Sequence, residues 1–114
     1  MSFYLAWQHP EVFGFAACLS STFSHRDDLI ERVLAEPKRD VRFYLDSGWP
    51  GDNYEVTLAM ALALRHSGYE YGRDYLHLAF PHASHDEDAW GDRLHLPLQY
   101  FVGKMSAAAR GRFI

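Results

Sequence analysis

Two histidines and three carboxylates lie close together in the segment P-H-A-S-H-D-E-D-A-W at residues 81–90. The segment directly follows the apolar run Y-L-H-L-A-F at residues 75–80, which predicts a strand. Polar residues just after a strand of an open α/β sheet face the crevice in which such folds hold their ligands. A histidine there can take a proton from a nucleophile and return it to the leaving group. His85 is therefore the first candidate for a catalytic residue, and a surface histidine in a polar loop is the alternative.

Two aspartates follow the preceding predicted strand, where a carboxylate could orient an imidazole from the next loop. Asp46 comes directly after the apolar run at residues 41–45 and could instead satisfy the amides of a turn. Asp52 has Glu55 three residues further on, which is the spacing of a capping box at the start of a helix. Both roles suit this place in the chain. We favour Asp52 as the orienting acid and keep Asp46 as the alternative.

The same loop could also be a metal site. Imidazole and carboxylate groups are suitable ligands for Zn²⁺ or another divalent ion, and the loop offers His82, His85, Asp86 and Asp88. The group lacks the i, i+4 pair of histidines on one helix face that is typical of zinc hydrolases. A small metal-dependent hydrolase is therefore an alternative that depends on finding these side chains together.

A nucleophile is harder to find. Ser20 and Ser21 follow the first predicted strand, but they are not in a G-x-S-x-G sequence, whose strained turn exposes the hydroxyl and offers amides to an oxyanion. We expect these serines to form a turn or a cap. Cys18 is the single cysteine and lies in an apolar run, so we expect a buried thiol and no internal disulfide.

Composition sets wider limits on the function. A chain of 114 residues predicts a single domain, and its 48% apolar content predicts a globular one. A net charge of −4 with scattered Lys and Arg argues against a nucleic-acid partner. No apolar run approaches the roughly 20 residues of a membrane helix, and no secretory signal is visible. We therefore expect a cytoplasmic protein without a membrane segment, and no residue pattern indicates a cofactor.

The elements alternate along the chain in a way that defines the fold class. The patterns predict strands at 12–19, 41–45 and 75–80, the second of which is closed by a turn at 46–51. They predict helices at 3–9 and at 53–66, the latter stopped by Gly68, and between the first two strands a helix capped by Ser24 with Asp27 and ended by Pro37. A final helical segment at 90–102 is interrupted or restarted at Pro97. Residues 106–114 show no clear period. Such an alternation predicts an α/β fold with a three-stranded parallel sheet and flanking helices. Both edges of so small a sheet would be unpaired, so we expect an oligomer.

Several segments, taken in order, resemble a known family. They are Y-L-A-W-Q-H-P-E-V-F-G at 4–14, L-S-S-T-F at 19–23, R-F-Y-L-D-S-G at 42–48 with D-N at 52–53, and H-D at 85–86 with Trp90. Their order and spacing resemble the C-terminal half of an α/β-hydrolase, and in particular the esterase family that includes enterochelin esterases and feruloyl esterases. The resemblance covers residues 3–102.

The resemblance implies a catalytic triad in the chain order Ser, Asp or Glu, His. His85 matches the position of the family's catalytic histidine, and Asp52 matches the acid position best, although some members use Ser and His alone. The nucleophile elbow would lie just before the helix at residues 4–9, and the sequence starts after that point. The expectation is thus that residues 1–114 form a partial domain lacking the N-terminal half.

On this interpretation the chain supplies His85 and Asp52 to a serine carboxylic-ester hydrolase. The complete enzyme would act on a small-molecule ester, and the chain would pair with a missing N-terminal half or with itself. The isolated chain is predicted to be inactive. The alternative from another class is a non-catalytic module that self-associates through the strand at 12–19 or the helix at 56–64.

Overall fold

The computed structural model describes residues 2–22, 28–83 and 85–102. The elements in chain order are α1 (Ser2–Gln8), β1 (Phe15–Leu19), α2 (Leu29–Ala35), β2 (Arg42–Trp49), α3 (Tyr54–His66), β3 (Tyr75–Pro81), α4 (Glu87–Arg93) and α5 (His95–Val102). The three strands form one parallel sheet in the order β1-β2-β3. The predicted α/β class with a three-stranded parallel sheet is confirmed. None of the described helices is long and apolar enough to cross a bilayer.

The main core lies between one face of the sheet and helices α1, α2 and α3. Phe43 of β2 stacks on Phe3 of α1 with ring centroids 4.4 Å apart, and Val33 and Leu64 close the layer from α2 and α3. Full burial of each such side chain contributes about 1.5–3 kcal/mol. Because side chains alternate along a strand, the residue next to Phe43, Tyr44, points to the opposite face and packs near α5.

The first strand is shorter than predicted. It begins at Phe15, and the amides of Val12 and Phe13 both donate to the carbonyl of His9 in a turn that follows α1. The expectation of a strand from residue 12 that is buried on both faces is therefore wrong. β1 is an edge strand, and Phe15 is exposed apart from stacking on Phe101 at 4.6 Å.

The second strand is longer than predicted, since it continues from Arg42 to Trp49. The expected turn at 46–51 is wrong for its first four residues, which pair with Leu78, Ala79, Phe80 and Pro81 of β3. Asp46 and Ser47 are fully buried there. Residues typical of turns can stay in a strand when distant partners satisfy their polar groups, and Asp46 has such partners.

Helices α1 and α3 lie within one residue of their predicted bounds. Gly68 ends α3 as expected, with φ of 92°, and Tyr69 N donates to Leu64 O across the end of the helix. The capping box of Asp52 and Glu55 is wrong. Asn53 precedes α3 without a side-chain cap bond, because the Asp52 carboxylate is bonded elsewhere.

The remaining helix predictions have mixed outcomes. The proposed caps Ser24 and Asp27 lie outside the described residues, as do residues 106–114. The C-terminal helical segment does divide in two, but it divides at Leu94 and not at Pro97, which is the third residue of α5. Proline is tolerated there because the first turn of a helix leaves its amides unpaired.

Candidate functional site

The carboxyl ends of all three strands meet at one edge of the sheet, and the candidate residues gather there. Ser20 follows β1, Asp52 lies in the loop after β2, and His85 lies in the loop after β3. Nδ1 of His85 is 2.7 Å from Oδ1 of Asp52. The structure thus brings together the two residues that the sequence singled out as base and orienting acid.

Asp52 is held in a fixed position although it lies in a loop. Only 1% of the residue is exposed, and Oδ2 accepts hydrogen bonds from Ser20 Oγ at 2.6 Å and from Gly48 N at 2.7 Å. Burial opposes ionisation, but these two bonds together with His85 outweigh it and lower the pKa of Asp52. The carboxylate is therefore a stable hydrogen-bond acceptor for the imidazole.

The close approach of these groups requires a glycine at position 48. A Cβ there would lie 1.8 Å from Ala83 O and 3.0 Å from Asp52 Oδ2. Glycine lets the β3 loop pass directly over the end of β2. The short distance between the His85 loop and Asp52 depends on that contact.

His85 combines a buried partner with an accessible ring. Its side chain is 51% exposed, and Trp90 packs against the imidazole edge to face with ring centroids 4.9 Å apart. Because Asp52 is an acceptor, Nδ1 carries the proton in the neutral ring, and Nε2 is left with a lone pair. This is the tautomer that a general base requires.

Asp46 is in a different environment and does not contact His85. It accepts a hydrogen bond from Tyr44 Oη at 2.7 Å and two from Arg93, whose Nε and Nη2 both lie 3.1 Å from the carboxylate. Arg93 is only 4% exposed. Burial raises the pKa of Asp46, against the effect of these donors. The structure therefore distinguishes the two aspartates that the sequence left as alternatives.

Ser20 belongs to the site, although the sequence assigned it only a turn or capping role. It is buried, its Oγ donates to Asp52, and the same oxygen accepts from Arg93 Nη2 at 3.2 Å. Its φ of 54° lies in the left-handed region. A serine directly after a predicted strand was the available signal, but its partners are 32 and 73 residues away in the chain.

The metal alternative finds no support in the described part of the chain. Among those residues, no group of three or more His, Cys, Asp or Glu side chains could hold an ion. Asp86 instead caps α4, accepting from Ala89 N at 2.8 Å. Cys18 is buried as expected, and burial raises the pKa of its thiol to about 12, which keeps it protonated.

Comparisons of the chain with protein-family models, with curated proteins and with solved structures gave no match. The case for a function therefore depends on the geometry at the sheet edge. That geometry is an exposed histidine bonded to a buried carboxylate.

Proposed function

We propose that this chain supplies the acid–base half of a serine ester hydrolase site, with His85 as general acid and base and Asp52 as its orienting carboxylate. The observation that carries the proposal is the 2.7 Å bond between His85 Nδ1 and the buried Asp52 Oδ1. Because the His85 side chain is half exposed, its ring can meet a substrate while Asp52 stays buried. The resemblance to the enterochelin and feruloyl esterases supports the same assignment.

The chemistry follows from the tautomer of the imidazole. Nε2 of His85 takes the proton of a serine hydroxyl as its oxygen attacks the ester carbonyl, and Asp52 stabilises the resulting imidazolium. The imidazolium then protonates the leaving alcohol as the C–O bond breaks, which leaves an acyl-serine. Water repeats the sequence, releasing the acid and restoring both residues.

The attacking serine comes from a polypeptide segment outside these 114 residues. Ser20 is the described serine within the network, but its buried hydroxyl donates to Asp52 and not to His85. The sequence contains no G-x-S-x-G elbow. A cleft of about 440 Å³ between the end of β3 and α4 is suitably placed beside the His85 loop for part of the ester.

The partner that brings the serine would pair with the free edge of β1. Parallel sheets usually have their strands covered, yet Phe15 of β1 is exposed, as are Val12 and Phe13 in the turn just before it. A nucleophile-bearing N-terminal half would cover them. A cytoplasmic location also belongs to the proposal, supported by the buried free thiol of Cys18.

Self-association is the second candidate, and the same exposed edge favours it. A second copy pairing along β1 would bury these apolar side chains without bringing a serine to His85. Size-exclusion chromatography at micromolar concentration tests self-association, because a clean monomer would contradict it.

Labelling with a fluorophosphonate probe tests the proposal. The chain alone is compared with a fusion protein in which an esterase segment, carrying the strand and the G-x-S-x-G elbow, precedes α1. We expect no labelled serine in the chain alone and rapid labelling of the elbow serine in the fusion protein. His85→Ala should lower that rate by about 10³-fold or more, and Asp52→Asn by a similar order, because triad members act as a unit.

His66→Ala is the matched control, since His66 is an exposed histidine at the C-terminal end of α3, outside the loops that form the site. Its labelling rate should stay within about twofold of the unchanged protein. Labelling of a serine in the chain alone would contradict the requirement for an external nucleophile. An elbow serine that reacts equally well in His85→Ala would contradict the role of His85.

A further inference from the structure

Arg93, Ser20 and Asp52 form a continuous buried chain of hydrogen bonds that ends at His85. Arg93 Nη2 lies 3.2 Å from Ser20 Oγ, Ser20 Oγ lies 2.6 Å from Asp52 Oδ2, and Asp52 Oδ1 lies 2.7 Å from His85 Nδ1. The first three residues are buried, and His85 alone is exposed. This series of hydrogen bonds therefore connects the interior of the protein to the proposed base.

The donor and the acceptor of every hydrogen bond in this series are fixed. A guanidinium group can only donate, so Ser20 Oγ accepts from Arg93, and its single proton must go to Asp52. Arg93 cannot turn away, because Asp46 holds its Nε and Nη2 with two further bonds. The hydroxyl of Ser20 is thus aimed at Oδ2 by an arginine from α4.

Two donors on Oδ2 determine where the other oxygen points. Ser20 Oγ and Gly48 N approach Oδ2 together, which leaves Oδ1 for His85. The backbone at Ser20 has φ of 54°, a conformation that favours glycine. The serine hydroxyl is therefore present at some cost to the backbone.

We infer that Ser20 is a positioning residue that holds the Asp52 carboxylate in register with His85, and that Arg93 orients the Ser20 hydroxyl for this purpose. The inference rests on the proposed function of the Asp52–His85 pair. It assigns to Ser20 a part in the site that differs from a nucleophile, since its hydroxyl acts through Asp52 and never meets the ester.

Proton NMR of the 114-residue chain tests the inference through exchange of the His85 Nδ1 proton with water. Ser20→Gly suits the positive φ at this position and removes the hydroxyl together with its Cβ, whereas Ser20→Ala removes the hydroxyl alone. We expect exchange to become about tenfold faster or more, as for loss of one hydrogen bond to a charged group. Ser67→Ala is the matched control, because it removes a serine hydroxyl that donates to Val33 O at 2.9 Å, at the far end of α3 and outside this network. It should leave the His85 proton unchanged.

Asp52→Asn separates the failure of the inference from the failure of the proposed function. If the His85 proton is unaffected by Asp52→Asn, the pair does not form and the proposed function is wrong. If Asp52→Asn removes the slow exchange but Ser20→Gly leaves it unchanged, the pair stands and the role of Ser20 is overturned. Equal acceleration in Ser20→Gly and Ser67→Ala would also overturn it, because it would indicate a general loosening of the fold. Should Ser20→Gly fail to fold, Ser20→Ala gives the same comparison.

Discussion

Asp46 and Asp52 are both buried at one edge of the sheet, yet their partners differ in kind. Asp46 is bonded to Arg93, which is itself buried and permanently charged. Asp52 is bonded to His85, which is half exposed. The two buried acids therefore differ in whether the partner is closed off from solvent or reaches it.

The two carboxyl groups also differ in whether burial or hydrogen bonding has the larger effect on the pKa. For Asp46, burial prevails over the bonds from Tyr44 and Arg93 and raises the pKa. For Asp52, burial is outweighed by Ser20, Gly48 and His85, and the pKa falls. Under the proposed function, the group with the lowered pKa is the one that stays an anion beside the imidazolium.

The largest effect should come from breaking the Asp46 pair. Arg93→Met leaves Asp46 buried without its cation and should lower the free energy of unfolding by about 3–5 kcal/mol. His85→Ala is the contrasting variant. It should cost only about 0–1 kcal/mol, because an exposed partner contributes little and Asp52 keeps its other donors. Urea denaturation measures both, and equal losses would contradict the distinction between the two acids.

Filling the space at Gly48, which faces the Ala83 carbonyl and Asp52, should have the next largest effect. Gly48→Ala places a methyl group against the Ala83 carbonyl and Asp52, so the loop must move, at a cost of about 1–3 kcal/mol or more. Gly91→Ala is the control within α4, where a Cβ meets nothing within 4 Å, and it should stabilise by about 0.5–1 kcal/mol. Thermal melts compare the two, and a neutral Gly48→Ala would show that the close approach is not needed.

The smallest effect is a change in the slope of stability with pH. The pKa of Asp52 lies below its unfolded value of 3.8, so its stabilisation is present above 3.8 and is lost as the pH falls through the folded pKa. The pKa of Asp46 lies above 3.8, so acidification through that pKa favours folding. We expect Asp52→Asn to flatten the loss of stability in acid and Asp46→Asn to steepen it. Denaturation midpoints from about pH 2 to pH 7 would show slopes in the same direction if this contrast is wrong.

Local patterns in the sequence predicted the fold class and two of the site residues. The alternation of apolar runs and helical stripes is a short-range signal, and it placed α1, α3 and β3 within about one residue. The place of His85 just after β3 is a similar short-range signal. Local patterns failed where burial depends on distant partners. Val12 and Phe13 look like strand residues, but they lie exposed in the turn that follows α1.

The choice between Asp46 and Asp52 required contacts that sequence spacing does not contain. Asp52 matched a capping box, yet its carboxylate bonds to residues from three other parts of the chain. Asp46 looked like a turn residue, but an arginine 47 residues away keeps it in a strand. Ser20 had no distinctive neighbours at all. Each role becomes visible only when the three strand ends are brought together.

The segment that presents His85 is fastened at both ends to the same strand. His82 N donates to Trp49 O at 2.6 Å on one side, and Arg93 is bonded to Asp46 on the other. The segment can lift away while β3 stays paired only when Arg93 releases both Asp46 and Ser20 and the bond between Asp52 and His85 breaks, which is a partial opening and not unfolding. The pairing of β2 with β3 can persist through such openings.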